Sequence, residues 1–341
     1  MLERAVPELE TGPQLSPQLS PQVPEARTPR RANPLLASFA ALVGLLIFNA
    51  LFTANFLTLQ TLNVNLTQVA TIVIVGVAMT LVIATGGIDL SVGSLMAISG
   101  AIAPMIFLNP PFGNASLGVL LAFIVPVAIA GAFGAFNGML ITRYRIQPII
   151  ATLVLFIAGR GIAQVITNGN LQSFRNEAFG YIGLGRPFGI PFQVILMFAT
   201  VALFAWLMRS SVFGRYVLAV GGNESASRLS GIPVSSVKTL VYIICGLLSG
   251  LAGLIVIAIN SSSDANQVGL NMELDAIAAV AVGGTPLTGG QANIVGTLLG
   301  ALIIQVIRYT LLAKGVPDAA ALVVKAFIII AAVYLQRSKT S

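Results

Sequence analysis

Histidine is absent from this chain of 341 residues, cysteine occurs once, and charged residues make up only 9%. Without histidine there is no Ser-His-Asp arrangement and no His-ligated metal centre, and a lone cysteine closes no intramolecular disulfide. That cysteine, Cys245, lies inside an apolar run and reads as a small buried residue. No Gly-x-x-x-x-Gly-Lys-[Ser/Thr] stretch is present, so nothing here cradles the phosphates of ATP. Acidic residues do occur in pairs, but no activated nucleophile accompanies them, and the chain reads as a non-enzyme with no metal and no cofactor of its own.

What is present is apolar. Hydrophobic residues make up 56% and the mean hydropathy is +0.93, whereas soluble domains carry roughly 25% charged residues. The fold class is therefore an all-α, polytopic membrane helix bundle. The net charge of +7 is no nucleic-acid signal, because the basic residues sit between apolar runs and are not interleaved with aromatics.

Residues 1–34 are Pro-rich and low in complexity, which predicts a disordered cytoplasmic tail. Arg27, Arg30 and Arg31 precede the first apolar run. Arg30-Arg31 could open a twin-arginine export signal, but no small-residue cleavage site follows, and a basic anchor is the better account.

A spanning helix needs ~20 apolar residues. Candidates are Leu35–Phe52, Val69–Thr85, Ser91–Leu108, Leu117–Ile141, Ile149–Ile166, Phe192–Met208, Leu240–Ile259, Ile294–Leu312 and Ala319–Leu335. Leu274–Val282 is too short to span alone and reads as half of a broken helix or as a re-entrant segment. The expected count is ten, with nine as the alternative. Ten crossings place Arg4, Arg27, Arg30, Arg31, Arg143, Arg145, Arg209, Arg215, Arg228, Lys238, Arg337 and Lys339 on the cytoplasmic side. That asymmetry puts both termini, including residues 337–341, in the cytoplasm, with residues 35–336 as the transmembrane domain.

Two motifs share the pattern Gly-Gly-x-x-Leu-[Ser/Thr]-x-Gly. One comprises Gly86, Gly87, Asp89, Leu90, Ser91 and Gly93; the other comprises Gly283, Gly284, Leu287, Thr288 and Gly290. Gly-interrupted apolar segments in repeated positions point to a transport pathway. Ten crossings make this repeat parallel and nine invert it. Small-residue pairs at Gly134/Gly138, Gly246/Gly250 and Gly296/Gly300 predict close helix packing within the subunit, with a dimer interface as the alternative.

Residues 209–238 form the most polar interior stretch. Asn223 suits an N-cap, Glu224 the positive helix end, Gly231 the C′ position, and Pro233 stops continuation. A two-turn helix over Glu224–Ser230 is marginal alone, which suggests docking on a partner. A plain surface connector is the other reading. Ionisable residues in or beside spans are candidate pathway groups: Asp89, Asp275, Glu273 and Asp264 with Asn266. Asp89 equally suits a cap of the span that follows, and Lys325 either pairs with one of these acids or snorkels. Such polar groups suit a transient sugar path without a tight site.

Three blocks give the chain a specific resemblance: Ala84 to Ser94, Gly214 to Ile232, and Glu273 to Gly284 with Leu287 to Gly290. It resembles the permease subunits of bacterial ATP-binding-cassette sugar importers, in the ribose/xylose/galactofuranose branch. Ile146-Gln147-Pro148, Ala158 to Gly161 and Asp264-Ala265-Asn266 are similar to the galactofuranose type. The resemblance implies an inner-membrane subunit paired with a second permease copy or paralogue. It also implies a cytoplasmic ATP-binding subunit holding ATP and Mg, and a periplasmic sugar-binding protein. By the same resemblance Arg215, Asn223, Glu224, Ala226, Arg228 and Gly231 bear on the ATPase, although the family's Glu-Ala-Ala is here Glu224-Ser225-Ala226. An ion-coupled secondary transporter is the rival. It would use the buried acids as relay groups and would leave the capped loop helix unemployed.

Overall fold

The computed structural model describes residues 34–317 and, beyond them, residues 320, 322–324, 326–327 and 330. The Pro-rich tail before Pro34 and the C-terminal residues 337–341 lie outside the described residues. So does Lys325, and so does most of Ala319–Leu335, whose described positions are helical.

The chain runs α1 Pro34–Phe52, α2 Leu59–Ala84, α3 Val92–Leu108, α4 Ala115–Thr142, α5 Pro148–Thr167, β1 Gln172–Ser173, α6 Glu177–Leu184 and α7 Phe192–Ser210. It continues with α8 Val212–Gly222, α9 Glu224–Leu229, α10 Val234–Asn260, β2 Ser262–Ser263, α11 Met272–Val282 and α12 Ile294–Ala313. Seven of these helices are long and apolar enough to cross a membrane: α1, α2, α4, α5, α7, α10 and α12. The bundle is therefore all-α and membrane-spanning.

Helix α2 sits at the centre. Val69–Ala84 is buried on every face, as expected of a helix that is hydrophobic all round. It packs against α7, α10, α11 and α12. The structure extends α2 ten residues before Val69, where Thr58 caps it by accepting from the Thr61 amide at 3.2 Å. That first stretch is polar, so a hydropathy window passes over it.

The heaviest seam joins α4 to α10 through the small residues singled out above. A Cβ on Gly134 would strike the Tyr242 carbonyl, and one on Gly246 would strike the Ala130 carbonyl. Gly138 faces Thr239, and Gly250 faces Val127 and Ala130. Gly296 and Gly300 meet the Gly283 and Ala279 carbonyls of α11. All three pairs pack within the subunit, and at Gly134, Gly246, Gly296 and Gly300 glycine is required because carbonyl oxygens occupy the Cβ positions.

Two passes are broken. Residues 86–91 run without helix before α3, and residues 264–271 run in turns before α11. α11 has 11 residues, about 16 Å at 1.5 Å per residue, only half a bilayer core. The second break crosses the first turn of α3 at Gly269 and Gly93, both buried, where each backbone occupies the space of the other's missing Cβ. Irregular backbone at such depth is tolerated only when covered by protein.

At the end away from α9, β1 pairs antiparallel with β2, Gln172 opposite Ser263. Phe123, Phe107 and Phe174 close around Phe179 of α6 at ring distances of 5.0, 4.7 and 5.8 Å. This cluster fastens the cap formed by β1 and α6 to α3 and α4.

The α4–α10 seam makes a direct prediction. Gly246→Leu overpacks a backbone contact and should lower stability by roughly 1–3 kcal/mol. Gly44→Leu, where nothing lies within 4 Å, should cost little. Thermal unfolding of both variants in detergent checks the difference.

Candidate functional site

The two glycine motifs, 197 positions apart in sequence, touch at the α9 end of the bundle. The Gly290 amide donates to the Ala84 carbonyl at 3.0 Å. Gly86, Gly284, Gly289 and Gly290 all have left-handed φ, between 76° and 90°, which a side chain would oppose. A third segment completes the junction. The last turn of α8 brings Gly221 onto Ala84 and Gly290 so closely that a Cβ would overlap the Ala84 carbonyl. Around it, Thr285 Oγ1 accepts from the Asn293 amide at 3.0 Å, and Asn293 Oδ1 caps α12 by accepting from Gly296 at 2.9 Å. Gly283 lies against Gly296, and Thr288 stands exposed on the loop.

The motifs agree in wording more than in structure. Gly93, aligned with Gly290, lies away from this junction, against Gly269 and Glu273. Gly87 abuts the hydroxyl of Tyr242.

Helices α8 and α9 stand on the junction. Ser211 caps α8 by accepting from Gly214 at 3.1 Å, and Gly214, Val217 and Val220 turn inward. Arg215 is exposed. Asn223 Oδ1 accepts from the Ala226 amide at 2.9 Å and starts α9. Gly231, at φ 78°, ends it with its amide on the Arg228 carbonyl. Glu224 pairs with Arg228 at 3.0 Å and with Lys238 at the foot of α10. Ser227 is buried, so α9 presents Ser225, Ala226, Arg228 and Leu229, the last 90% exposed, to the outside.

The remaining acids belong to the interior. Asp89 is fully buried and accepts from the Ser91 amide at 2.9 Å and its hydroxyl at 2.6 Å. Asn137 of α4 donates to Ser91 Oγ at 3.0 Å, and Thr152 of α5 accepts from the Leu90 amide at 3.1 Å. These bonds hold the non-helical strand before α3 in place. At the crossing, Arg160 of α5 donates to the Ala265 and Val268 carbonyls at 2.8 and 2.6 Å. Asp264 Oδ1 accepts from Asn266, and Asn266 Oδ1 accepts from Gln164 at 2.7 Å. Glu273 is buried beside Gly93, with Asp275 buried two residues further on. Thus Gly93, Asp264, Asn266 and Glu273 gather around Arg160, while Asp89 stands apart.

Sequence reasoning missed α8 as a helix and the contact of Gly221 with both motifs. The inward spacing of Gly214, Val217 and Val220 behind a capping Ser211 was the available signal.

The Lys238 ammonium, hydrogen-bonded to Glu224, holds that carboxyl below its ordinary range against the opposing effect of partial burial, with Arg228 adding to the lowering. A depressed carboxylate supports the fold fully above its unfolded value and loses that contribution as pH falls through the folded one. Lys238→Met should therefore raise the Glu224 titration midpoint, as read by carboxyl carbon NMR.

Residues 60–333 match the family described as the permease component of the branched-chain amino acid transport system. The ribose import permease of Escherichia coli K12 is 43% identical over 307 residues, covering 89% of this chain and 93% of that protein. The ribose import permease of Bacillus subtilis is 40% identical, covering 90% and 94%. The galactofuranose transporter permease of E. coli K12 is 37% identical, covering 80% and 79%. No solved structure matches this chain. With a transmembrane bundle, a glycine junction under an exposed capped helix, and these relatives along nearly its whole length, the chain belongs to this family of transport permeases, alongside those of ATP-binding-cassette sugar importers.

Proposed function

We propose that this chain is the membrane-spanning permease subunit of an ATP-driven importer, forming the path for a monosaccharide delivered by a periplasmic binding protein. ATP is hydrolysed by a separate cytoplasmic subunit that docks on α9. A second permease copy or paralogue completes the pathway in the bacterial inner membrane. The observation that carries the reading is the position of α9. It exposes Arg228 and Leu229 on its outer face, and α8, immediately before it, is wedged backbone to backbone into both glycine motifs. Relatives named for ribose and galactofuranose support a sugar as cargo.

On this reading ten passes cross the bilayer. They are α1, α2, residues 86–108, α4, α5, α7, α10, residues 264–282, α12 and residues 319–335. Both termini and the α9 end face the cytoplasm, where Arg143, Arg145, Arg209, Arg215, Arg228 and Lys238 collect. Residues 264–282 cross as an irregular half joined to a helical half, which makes the two glycine motifs cytoplasmic neighbours. The ion-coupled alternative would leave α9 with no partner to meet.

Arg228→Glu should abolish uptake in membrane vesicles while leaving insertion intact, and normal uptake would refute the docking assignment. Because that change also breaks the pair with Glu224, Glu224→Gln separates two roles. It removes the same pair and leaves Arg228 in place, so uptake that survives Glu224→Gln but not Arg228→Glu assigns Arg228 to the partner contact.

Gly221→Val should push α8 off Ala84. In the assembled complex ATP hydrolysis should persist while uptake falls at least tenfold.

A further inference from the structure

Helix α1 meets the rest of the bundle chiefly through α12. Ser38 donates to the Val282 carbonyl at 2.8 Å, Thr310 donates to Asn49 Oδ1 at 2.8 Å, and Leu42 packs on Ile303 and Val306. Beside this seam, α1 and the start of α2 enclose a groove of about 540 Å³ over α12. Leu42, Leu46 and Ala50 of α1, Leu62 and Leu66 of α2, and Leu302 of α12 form its walls. The turn at Phe56 and Leu57 lines its end opposite α9.

The polar groups that border this groove are bonded within the protein. Thr58 and Thr61 hydroxyls both donate to the Asn55 carbonyl, at 3.0 and 2.9 Å. Asn65 Nδ2 donates to the Thr61 carbonyl at 2.9 Å, and its Oδ1 accepts from Gln305 at 3.3 Å. Gln305 donates also to Gln68 at 2.8 Å, and its Oε1 is buried away from the groove. No charged side chain lines the space among the described residues. A hydrated solute would give up hydrogen bonds there, and apolar cavities take apolar guests.

Two further observations name the guest. The groove is bordered by exposed Leu46 and Ile47 of α1 and exposed Leu59 and Leu62 of α2, so in a bilayer lipid reaches it from the side. Leu42 to Ala50 covers about 12 Å of helix, which leaves a mean width of about 7 Å, narrower than a helix of roughly 10–12 Å. Its large rim residues are also unlike the small ones on which membrane helices pack. At the far end of the α1–α12 seam stands Lys314, exposed, with its ammonium on the Phe52 carbonyl. That one acceptor leaves two of its three donors for an anion.

We propose that this groove is a resident phospholipid site, seating an acyl chain between α1 and α2 while Lys314 takes the phosphate. The lipid fills space that the protein leaves open and joins α1 to α2, which it otherwise meets little. It differs in this from the lipid that wets the outer faces of the bundle. The site stands whether or not the chain serves an importer; the proposed orientation only makes its leaflet the periplasmic one.

The test is photolabelling of the full chain, with whatever subunits accompany it, in phosphatidylethanolamine vesicles. Phosphatidylglycerol carrying a diazirine on its acyl chain is titrated in, and the cross-linked peptides are mapped by mass spectrometry. Labelling of α1 and the start of α2 should saturate at a low fraction of the probe. Labelling at Ile195, Phe198 and Leu203, exposed on α7, should keep rising with it. Ala50→Trp fills the groove and should abolish the saturable labelling. Lys314→Gln, at an exposed helix end, should raise the half-saturating fraction at least threefold and serves if the tryptophan variant fails to fold. Labelling that rises in step with α7 is contact with bulk lipid only and overturns the proposal. So does saturation that survives Ala50→Trp or is unmoved by Lys314→Gln. Exclusion of the probe from the groove overturns it too, whether a second copy or the chain's last span fills the space.

Discussion

Backbone amides and carbonyls at membrane depth must find partners inside the protein, and that constraint governs where this chain can leave the helix. At residues 86–91 and 264–271 it does so around buried Gly87, Asp89, Ser91, Ala265, Val268 and Gly269. The Ser91 hydroxyl and amide, Asn137, Thr152 and Arg160 supply the side-chain bonds that hold these strands. Glycine supplies the rest. Gly93 and Gly269 let the irregular stretch 264–271 pass the first turn of α3 with no side chain between them. Neither break would be affordable on the lipid-facing surface.

The same device recurs at the α9 end, where Ala84, Gly221 and Gly290 meet backbone to backbone. Contacts of this kind have no flexible side chain to absorb a displacement, and packed protein is stiff. A push on α9 therefore reaches α8 through Asn223 and then both glycine motifs, one at the end of α2 and one ahead of α12. On the proposed reading this is the mechanical link between nucleotide hydrolysis and the path. The pairing of Glu224 with both Arg228 and Lys238 ties α9 to the foot of α10, which holds a six-residue helix that would be marginal alone.

Much of this architecture was legible in the sequence, because hydropathy reports membrane crossing directly. The windows from Leu35–Phe52 to Ile294–Leu312 each fall on a helix, although α2 and α10 begin well before Val69 and Leu240, and the caps at Asn223 and Gly231 bound α9 as expected. The start of α2 was not legible, since Gln60, Asn63, Asn65 and Gln68 lower its hydropathy while tertiary partners hold it helical. The meeting of the glycine motifs was also hidden. Sequence similarity marks where glycine is needed, but only folding shows that one motif's Gly93 serves an interior crossing and the other's Gly290 a terminal junction. α8 escaped because a short amphipathic helix between spans resembles a polar loop in composition.

The distribution of polar groups bears on the choice between an importer subunit and an ion-coupled carrier. A carrier needs an ionisable group that meets water and cargo in turn. Here Asp89 is sealed and bonded to Ser91, and Arg160 is committed to the Ala265 and Val268 carbonyls that shape the crossing. Asp264 closes a turn on Asn266. These three charges serve the backbone, whereas Glu273 is buried with its Oε2 unpartnered. At the far end the neutral amides of Asn63 and Gln68 border open space beside Arg186, and Arg175 and Glu177 line a second pocket. Neutral amides neither store a proton nor balance an ion, but they can hand a hydroxylated solute from one hydrogen bond to the next. On the proposed reading the path is passive, the free energy enters elsewhere, and α9 is the feature placed to receive it.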